Sequence, residues 1–351
     1  MRFVSPLLKH AVYPALHHTG WLGRIAPPGG YAVVNYHGVF PSDYSGSEPF
    51  LDGNLVRPEI LRQQLQFLKT SYNIIHPEDF RAWIEQSKPL PPRAILITCD
   101  DGLLNALTDM LPVLQSENVS CLFFVTGASC SAKPPMLWYE ELYAMMRSGA
   151  LAGSELMLPP EDGMEATTTA SSAPETFQSH WWKTVRAASR LNKNEREDWL
   201  ARVRQHCGPL QDFSSERRWR LLNIRELKKL TDAGMTIGAH TLSHPVLSLC
   251  VDEEARREIQ QSKLDIENVL GRPIWAFAYP FGNSATMGDR EVRLAQQASF
   301  SCAFLNVEHW GAGASDPFAI TRTHVSRDTG LPELSAHLSG LHLRLQRAVG
   351  T

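Results

Sequence analysis

The chain has 351 residues, of which 43% are hydrophobic and 20% are charged, and its formal net charge is -3. This composition excludes a disordered chain, and without an excess of basic residues it gives no support for nucleic-acid binding. At this length we expect either one large domain with insertions or two domains. The six cysteines are scattered without a C-x-x-C spacing. The sequence therefore predicts reduced thiols rather than a thiolate metal site or a disulfide framework.

Residues 1–30 are predicted to form an N-terminal extension. Basic and apolar residues are mixed in MRFVSPLLKHAVYPALHHTGWLGRI, without the continuous apolar segment and small-residue cleavage site of a signal peptide. No window approaches the roughly 18 uninterrupted apolar residues of a membrane span. We therefore expect a location in the cytoplasm or at the cytoplasmic membrane surface, with export left open. Residues 1–25 are expected to form a short amphipathic helix that packs on the core, with a partner or a membrane as the alternative.

The next part of the chain alternates between strand and helix patterns. The run YAVVNYHGV is rich in β-branched and aromatic residues and predicts the first strand. Helices are predicted at residues 57–72 and 78–86, before the continuously apolar strand RAILITCDDG. A helix from Leu103 toward Leu114 and the strand SCLFFVTG follow. Strands joined by helices in this way favour a parallel sheet with right-handed crossovers.

Residues 140–222 break this alternation. The low-complexity segment TTTASSAP precedes charge-rich sequence with helical character, so we expect a mainly helical insertion at about 140–222. The pattern then resumes with helix NIRELKKLTDAG, strand MTIGAH, helix EEARREIQQSKLDIENVLG, strand PIWAFAYPFG, helix EVRLAQQASF and strands SCAFLN and AITRTHV. No repeat of fixed period is visible. The alternation predicts an α/β fold, a closed or nearly closed β/α barrel over residues 31–335, with a C-terminal tail at 336–351.

Two adjacent carboxylates, Asp100 and Asp101, directly follow the predicted strand ILITC. One interpretation is a turn, because Asp-Gly pairs form turns and aspartate caps helices. Successive strand residues face opposite ways, however, so two adjacent acids at a strand end can take different tasks in one pocket.

His240 and His244 are four residues apart in GAHTLSHP, after another predicted strand. A helical turn there would put both imidazoles on one face, where they can hold one cation. An isolated H-x-x-x-H is more often a pair of capping or solvent-facing histidines. Here one aspartate of the Asp100–Asp101 pair can be the third ligand, which leaves a position for water. The other aspartate then stays available as a base for metal-assisted hydrolysis.

Two further strand ends carry candidate functional groups. His37 follows the first strand and is the best placed candidate for the general acid, with a hydrogen-bonded core histidine as the alternative. In AYPFG, Pro280 restricts the backbone before Gly282, and a main-chain N–H there can face developing negative charge. We expect all four strand ends to lie on one rim of the barrel.

The motifs TCDDG, HTLSH and AYPFG, in this order, resemble the three motifs TFDDG, H-[ST]-x-x-H and R-x-P-[YF] of the polysaccharide deacetylase family. This family is the NodB homology domain of carbohydrate esterase family 4. The resemblance runs from about Tyr31 to Arg327, with the insertion outside it, and implies a distorted (β/α) barrel. NYHGV also resembles the Y-H segment of exopolysaccharide-type deacetylases, in which the motif order is permuted.

The resemblance implies a base and a metal site. Asp100 would be the catalytic base, while Asp101, His240 and His244 would bind a divalent ion, most often Zn²⁺. The implied reaction is hydrolysis of an N-acetyl group on an N-acetylglucosamine-type unit of a polysaccharide or its precursor, which releases acetate.

It also implies an acid and an oxyanion contact. His37 takes the acid's role by analogy with the permuted members, in preference to His337 in LSAHL, a weak match to the family's late L-x-H motif in a predicted surface helix. The backbone N–H of Phe281 would help to hold the oxyanion.

Besides the weak match to the late L-x-H motif, this sequence departs from the family pattern at the third motif. The third-motif arginine, which orients the base in many members, corresponds to Ala278, and Arg322 is the candidate replacement. Tyr279, Pro280 and Trp138 are the predicted substrate-binding residues. The expected partner is a carbohydrate, while association with a membrane surface or a biosynthetic complex and the oligomeric state stay open. The alternatives are hydrolysis of another non-peptide C–N amide bond and a non-catalytic glycan-binding barrel.

Overall fold

A computed structural model describes residues 8–42, 44, 51–147, 176–207, 217–308 and 316–349, and their side chains as far as residue 345. Within these ranges one parallel sheet contains eight strands. They are β1 (Tyr31–Tyr36), β2 (Asn73–Ile74), β3 (Ala94–Cys99), β4 (Leu122–Val125), β5 (Thr236–Ala239), β6 (Ala276–Ala278), β7 (Cys302–Phe304) and β8 (Thr323–His324).

The strand order is β7-β6-β5-β4-β3-β1-β8, and β2 pairs with β3 beside this path. The last strand therefore returns to lie against the first, with Val34 opposite Thr323. The sheet curls into a half-barrel with helices around it, as in a distorted (β/α) barrel, and so confirms the predicted fold class. A single bridge between Phe304 and Ile320 links β7 to the segment before β8.

Helices follow most strands, close to the predicted positions. Those of the described residues are α1 (Tyr13–His18), α2 (Pro58–Ser71), α3 (Pro77–Gln86), α4 (Leu111–Ser116), α5 (Trp138–Arg147), α6 (Phe177–Ala188), α7 (Lys193–Cys207), α8 (Ile224–Asp232), α9 (Asp252–Leu270), α10 (Asp289–Gln297), α11 (Leu331–Leu338) and α12 (Leu341–Val349). Local signals account for their ends. Asn223 and Glu226 form a capping box at the start of α8, and Gly271 ends α9 in a left-handed conformation with φ of 66°.

The sheet is buried on both faces, as its continuously apolar strands predict. In β3 the side chains of Ile95 and Ile97 pack on the outer side, in a cluster with apolar residues of α2, α8 and α9. Ala94 and Leu96 face the opposite, concave side, where they join Phe124 and other residues. A residue that directly follows a strand continues this alternation of faces. Its side chain therefore lies at the edge of the sheet where the strands have their carboxyl ends.

The predicted helical insertion corresponds to α5, α6 and α7. These helices share a separate apolar cluster that includes Trp181, Trp199 and Trp219. Residues 148–175 and 208–216 of the insertion, including TTTASSAP, lie outside the described residues.

The N-terminal extension packs on the C-terminal helices. Tyr13 and Leu22 are buried in one cluster with Ala336 of α11, which agrees with the expectation that this segment packs on the core. Helix α11 runs across the boundary predicted at 335/336. Among the helices within the described ranges, none is both long enough and apolar enough to cross a bilayer. The six cysteines are free thiols.

Candidate active site

Asp100 and Asp101 separate at the end of β3. Asp100 is an even number of positions after Ala94 and Leu96, so its carboxylate lies on the same concave side of the sheet. Asp101 adopts a left-handed backbone conformation, with φ of 76°, and its carboxylate lies toward two histidines of the loop after β5. Both side chains are buried, with relative exposures of 2% and 7%. The adjacent acids thus have different surroundings, as the strand geometry predicts.

Asp101, His240 and His244 form a compact group of potential metal ligands. The Oδ1 atom of Asp101 lies 3.6 Å from Nε2 of His240 and 3.4 Å from Nε2 of His244. Four-coordinate zinc with bonds of about 2.0–2.2 Å separates its donor atoms by about 3.4 Å. The Nδ1–H of His240 donates to the carbonyl of Ala278 at 2.7 Å, which directs Nε2 to the cation position. The donor set and its spacing therefore fit a divalent ion.

The expectation of a helical turn at H-x-x-x-H is wrong. Residues 240–246 form a loop, in which Thr241 and His244 have φ values of 63° and 58°. The backbone N–H of His244 donates to the hydroxyl of Thr241, and this contact closes the loop. The two rings meet, with centroids 4.8 Å apart, because the chain reverses and not because of helical periodicity. Conformations of this kind are costly for non-glycine residues and concentrate at functional sites.

The base candidate, Asp100, is held by a buried cation. Nη1 and Nη2 of Arg322 donate to its two oxygens at 2.7 and 2.6 Å, and Asn35 donates a third hydrogen bond at 2.9 Å. Burial raises the pKa of Asp100, but the charge of Arg322, assisted by nearby histidines, lowers it further, to about 2. Asp100 is therefore ionised at neutral pH. Arg322, the candidate replacement for the arginine absent at Ala278, thus contacts Asp100 directly.

His37 lies beside this carboxylate. Its Nε2 is 3.9 Å from Oδ2 of Asp100, and burial lowers the pKa of His37, although Asp101 and Asp100 oppose the shift. His324 of β8 packs on it, with ring centroids 4.8 Å apart. Burial lowers the pKa of His324 to about 3, so this ring is neutral. The sequence analysis did not identify Asn35 or His324. The alternation of faces along β1 and β8 would have placed both on the concave side.

The AYPFG segment reaches the site through Phe281. Phe281 has a left-handed φ of 60°, and its ring packs on His244 with centroids 4.8 Å apart. Tyr279, predicted to contact substrate, instead lies in the outer apolar cluster, where its hydroxyl donates to the carbonyl of Phe318. Pro280 is buried, and its carbonyl accepts from the N–H of Gly282 at 2.7 Å. Of the three, Phe281 is the residue in contact with the histidine loop.

The insertion forms one wall of the site. Trp138 is only 4% exposed, its Nε1–H donates to the carbonyl of His244 at 3.1 Å, and the guanidinium of Arg196 lies over its ring. These contacts are typical of a side chain that supports the histidine loop, and not of one that is exposed for stacking on sugar rings. Trp182 of α6, which is half-buried, packs on Phe281 with centroids 5.4 Å apart. The sequence analysis placed residues 140–222 outside the family resemblance, because the alternation of strands and helices breaks there.

His337, the less favoured acid candidate, pairs elsewhere. Its Nδ1 lies 2.6 Å from Glu308, and its Nε2 lies 4.0 Å from Glu333. Burial lowers the pKa of His337, but these two carboxylates raise it to about 9. Its helix, α11, is largely covered by α1 rather than exposed.

Residues 211–301 match the family described as Polysaccharide deacetylase. The chain is also 30% identical over 91 residues to the poly-beta-1,6-N-acetyl-D-glucosamine N-deacetylase of Escherichia coli K12. Residues 211–301 are thus similar to part of a polysaccharide deacetylase. That alignment covers 26% of this chain and 13% of the relative, so the chain spans a small part of the curated proteins that it matches. The matched segment is shorter than the predicted 31–327 and includes His240, His244 and Phe281.

Solved structures extend the likeness to most of the chain. The deacetylase PplD of Streptococcus pyogenes, solved with acetate, has a TM-score of 0.55 and 15% identity over 89% of this chain and 99% of that chain. IcaB of Ammonifex degensii has a TM-score of 0.54 and 16% identity over 88% and 97%. A de-N-acetylase of Aggregatibacter actinomycetemcomitans has a TM-score of 0.53 and 13% identity over 88% and 99%. At these identities the likeness shows the fold.

Proposed function

We propose that this protein is a metal-dependent hydrolase that removes N-acetyl groups from an N-acetylated saccharide and releases acetate. The observation that carries the proposal is the position of the Asp101–His240–His244 group beside the ionised Asp100. Hydrolysis of an amide at neutral pH needs an activated water, a base for its proton and an acid for the leaving amine. The rim of this sheet brings together side chains suited to each task.

Asp101, His240 and His244 would hold the divalent ion, with Zn²⁺ the first choice for one carboxylate and two imidazoles. When bound there, such an ion supplies a lowered water pKa and polarises the acetamido carbonyl. The protein fixes the donors before binding, since all three residues are buried. Trp138 further restrains His244 through its carbonyl.

Asp100 would take the proton of the attacking water. Its two oxygens are oriented by Arg322, and the ion pair keeps the carboxylate free of a competing proton at neutral pH. A carboxylate with so low a pKa is a weak base in isolation, so its contribution depends on position. The bidentate contact fixes that position.

His37 would deliver a proton to the departing nitrogen. Its Nε2 lies 3.9 Å from Asp100, close to where the water proton is taken. Burial lowers the pKa of His37, which makes its protonated form a stronger acid toward an amine. The backbone N–H of Phe281 is proposed to face the carbonyl oxygen as negative charge develops there, a contact worth roughly 3–4 kcal/mol in comparable sites.

The proposed substrate is an N-acetylglucosamine-type unit of an exopolysaccharide. The E. coli relatives are named for deacetylation of poly-beta-1,6-N-acetyl-D-glucosamine. The family match at residues 211–301 includes the histidine loop and the AYPFG segment. Trp182 and Phe281 give an apolar wall of the kind on which sugar rings stack.

A direct test is acetate release from a panel of substrates. The panel contains β-1,6- and β-1,4-linked N-acetylglucosamine oligosaccharides, monomeric N-acetylglucosamine and a cyclic imide for the alternative amide-hydrolase function. We expect release from an oligosaccharide, loss after chelation and recovery with Zn²⁺. Full activity after complete metal removal would overturn the mechanism, and activity on the imide alone would overturn the substrate class.

A further inference from the structure

A second group of metal-binding side chains lies apart from the candidate active site. Glu308, His337 and His342 each offer a ligand atom, and these atoms all lie within 4.8 Å of one another. Glu308 belongs to the segment after β7, whereas the histidines belong to α11 and α12. The proposed deacetylation uses none of these residues.

A tight turn brings the two histidines together. His337 and His342 lie on either side of Gly340, which has φ of +70° between α11 and α12. A Cβ atom at Gly340 would lie 2.6 Å from Cγ of Pro28, so both the backbone conformation and the close contact favour glycine. With the turn fixed, the two imidazole centroids are 4.1 Å apart.

The surroundings of His342 select one of its nitrogens. The hydroxyl of Tyr13 lies 2.8 Å from Nδ1 of His342, and both side chains are buried. An oriented imidazole of this kind, with one nitrogen engaged by a neighbouring polar group, is usual for metal-binding histidines. Tyr13 thereby fixes the orientation of the His342 ring.

The contact between His337 and Glu308 is close but poorly aligned for a hydrogen bond. Nδ1 of His337 lies 2.6 Å from Oε1 of Glu308, yet this buried nitrogen has no partner with hydrogen-bond geometry among the described residues. The neighbouring Glu333 is engaged at 2.9 Å by Lys9. A cation between Glu308 and the two imidazoles would satisfy these groups together.

We propose that Glu308, His337 and His342 form a second site for a divalent transition-metal ion, with water at the remaining position. Two imidazoles and one carboxylate are a ligand set that suits Zn²⁺. The three ligand atoms all lie within 4.8 Å of one another, whereas four-coordinate zinc separates its donors by about 3.4 Å. Glu308 is half-buried and lies outside regular structure, so its carboxylate can adjust its position when an ion binds.

The bound ion would join three separate parts of the chain. Glu308 follows β7, the histidines follow the last strand, and Tyr13 of α1 contacts His342. The site would therefore stabilise the packing of the N-terminal and C-terminal helices on the barrel, and its role is structural.

The test uses the full chain without an affinity tag, carrying His240→Gln and His244→Gln to remove the ligands of the candidate active site. Zinc content is measured after equilibration with buffered Zn²⁺, and four-coordinate Co²⁺ is detected by its visible absorption. We expect this background chain to retain one ion, and the addition of Glu308→Gln or His342→Gln to remove it. His17→Gln, which alters a nearby histidine outside the group, is the matched control and should retain the ion.

Thermal unfolding of the background chain tests the second site while Glu308, His337 and His342 are all unchanged. Zn²⁺ should raise the unfolding temperature, and this rise should disappear in each of the two cluster variants. Failure of the background chain to bind Zn²⁺, or binding unchanged by Glu308→Gln and His342→Gln, would overturn the proposal and leave a metal-free ion pair. Neither result depends on whether the chain deacetylates sugars.

Discussion

Arg322 and Asp100, which are 222 positions apart, form a bidentate ion pair in the buried rim of the sheet. The guanidinium is itself fixed, since Nε donates to the carbonyl of Leu305 and Nη1 also donates to Asn35. Arg322, directly before β8, thus fixes both oxygens of Asp100 from a segment far along the chain. Ala278, at the end of β6, has no side chain that could do this.

We expect Arg322→Lys to lower kcat by roughly 10²-fold, because an ammonium group cannot hold both oxygens of Asp100 and small misplacements of a catalytic group are costly. Lysine keeps the positive charge that lowers the pKa of Asp100 but not the bidentate hydrogen bonds, so the acidic limb of the rate profile should move only slightly to higher pH. Zinc content should stay unchanged. Arg220→Lys, which alters another bidentate pair, is the control. An unchanged rate and pH profile would contradict the orienting role.

Asp100→Asn and Asp101→Asn should separate base from ligand. Asp100→Asn should retain zinc. Its rate of acetate release should fall by about 10²–10⁴-fold, the range for removal of a general base. The second should bind zinc more weakly, because it removes the carboxylate shared by both histidines. Metal analysis and single-turnover assays on the same preparations distinguish these outcomes. Full activity of Asp100→Asn would refute the base assignment.

His37→Ala should slow turnover on the order of 10²-fold, because the leaving amine loses its proton donor. His337→Ala, whose side chain pairs with Glu308 and Glu333, should have a smaller effect on kcat. The measurement is kcat on the best oligosaccharide of the panel, with the folded state of each variant checked by circular dichroism. The reverse order of effects would identify His337 as the acid.

Trp138→Phe keeps an aromatic ring but removes the N–H that donates to His244. We expect zinc affinity to fall by about 10-fold, within the range for groups that support metal ligands, while KM changes little. Trp182→Phe, on the wall beside Phe281, is the companion variant and should affect KM and not zinc affinity. If Trp138→Phe raised KM with zinc affinity intact, the original assignment of Trp138 to substrate binding would be correct.

Glu226 should make stability depend on pH. Burial raises its pKa, but Arg220 and the capping hydrogen bond from Asn223 lower it further, below the ordinary 4.5. A depressed folded-state pKa stabilises the protein above about 4.5, and this contribution is lost as pH falls through the folded value. Glu226→Gln should therefore lower the free energy of unfolding by about 1 kcal/mol at pH 7, and less at pH 4. Urea unfolding measures the difference, and a pH-independent loss would contradict the linkage.

Sequence patterns predicted the strand ends well, because burial periodicity and apolar runs are local properties. These patterns predicted candidate site residues at three strand ends, and the structure brings them to one rim. They are His37, Asp100, Asp101, His240 and His244. The shape of the histidine loop was not predictable, since the left-handed backbone at Thr241 is stabilised by tertiary contacts and has no glycine to signal it.

Contacts between distant segments were also beyond the local patterns. His324 looks like an ordinary residue of a short strand, and only the pairing of β8 with β1 brings it to His37. The helices of the insertion show an apolar pattern typical of core packing, which gives no sign that Trp138 reaches His244. Arg322 was identified by a missing motif residue rather than by a pattern of its own.

The return of β8 to the edge of β1 has a consequence for how this domain can be divided. A fragment cut after β7 would keep the TCDDG, HTLSH and AYPFG segments and would still satisfy a search for those motifs. Its Asp100 would nevertheless face an apolar interior with Asn35 but no guanidinium, so burial would raise the proton affinity of the carboxylate. The segment that ends in the last strand therefore belongs to the proposed catalytic unit, because it contains the guanidinium that keeps Asp100 ionised.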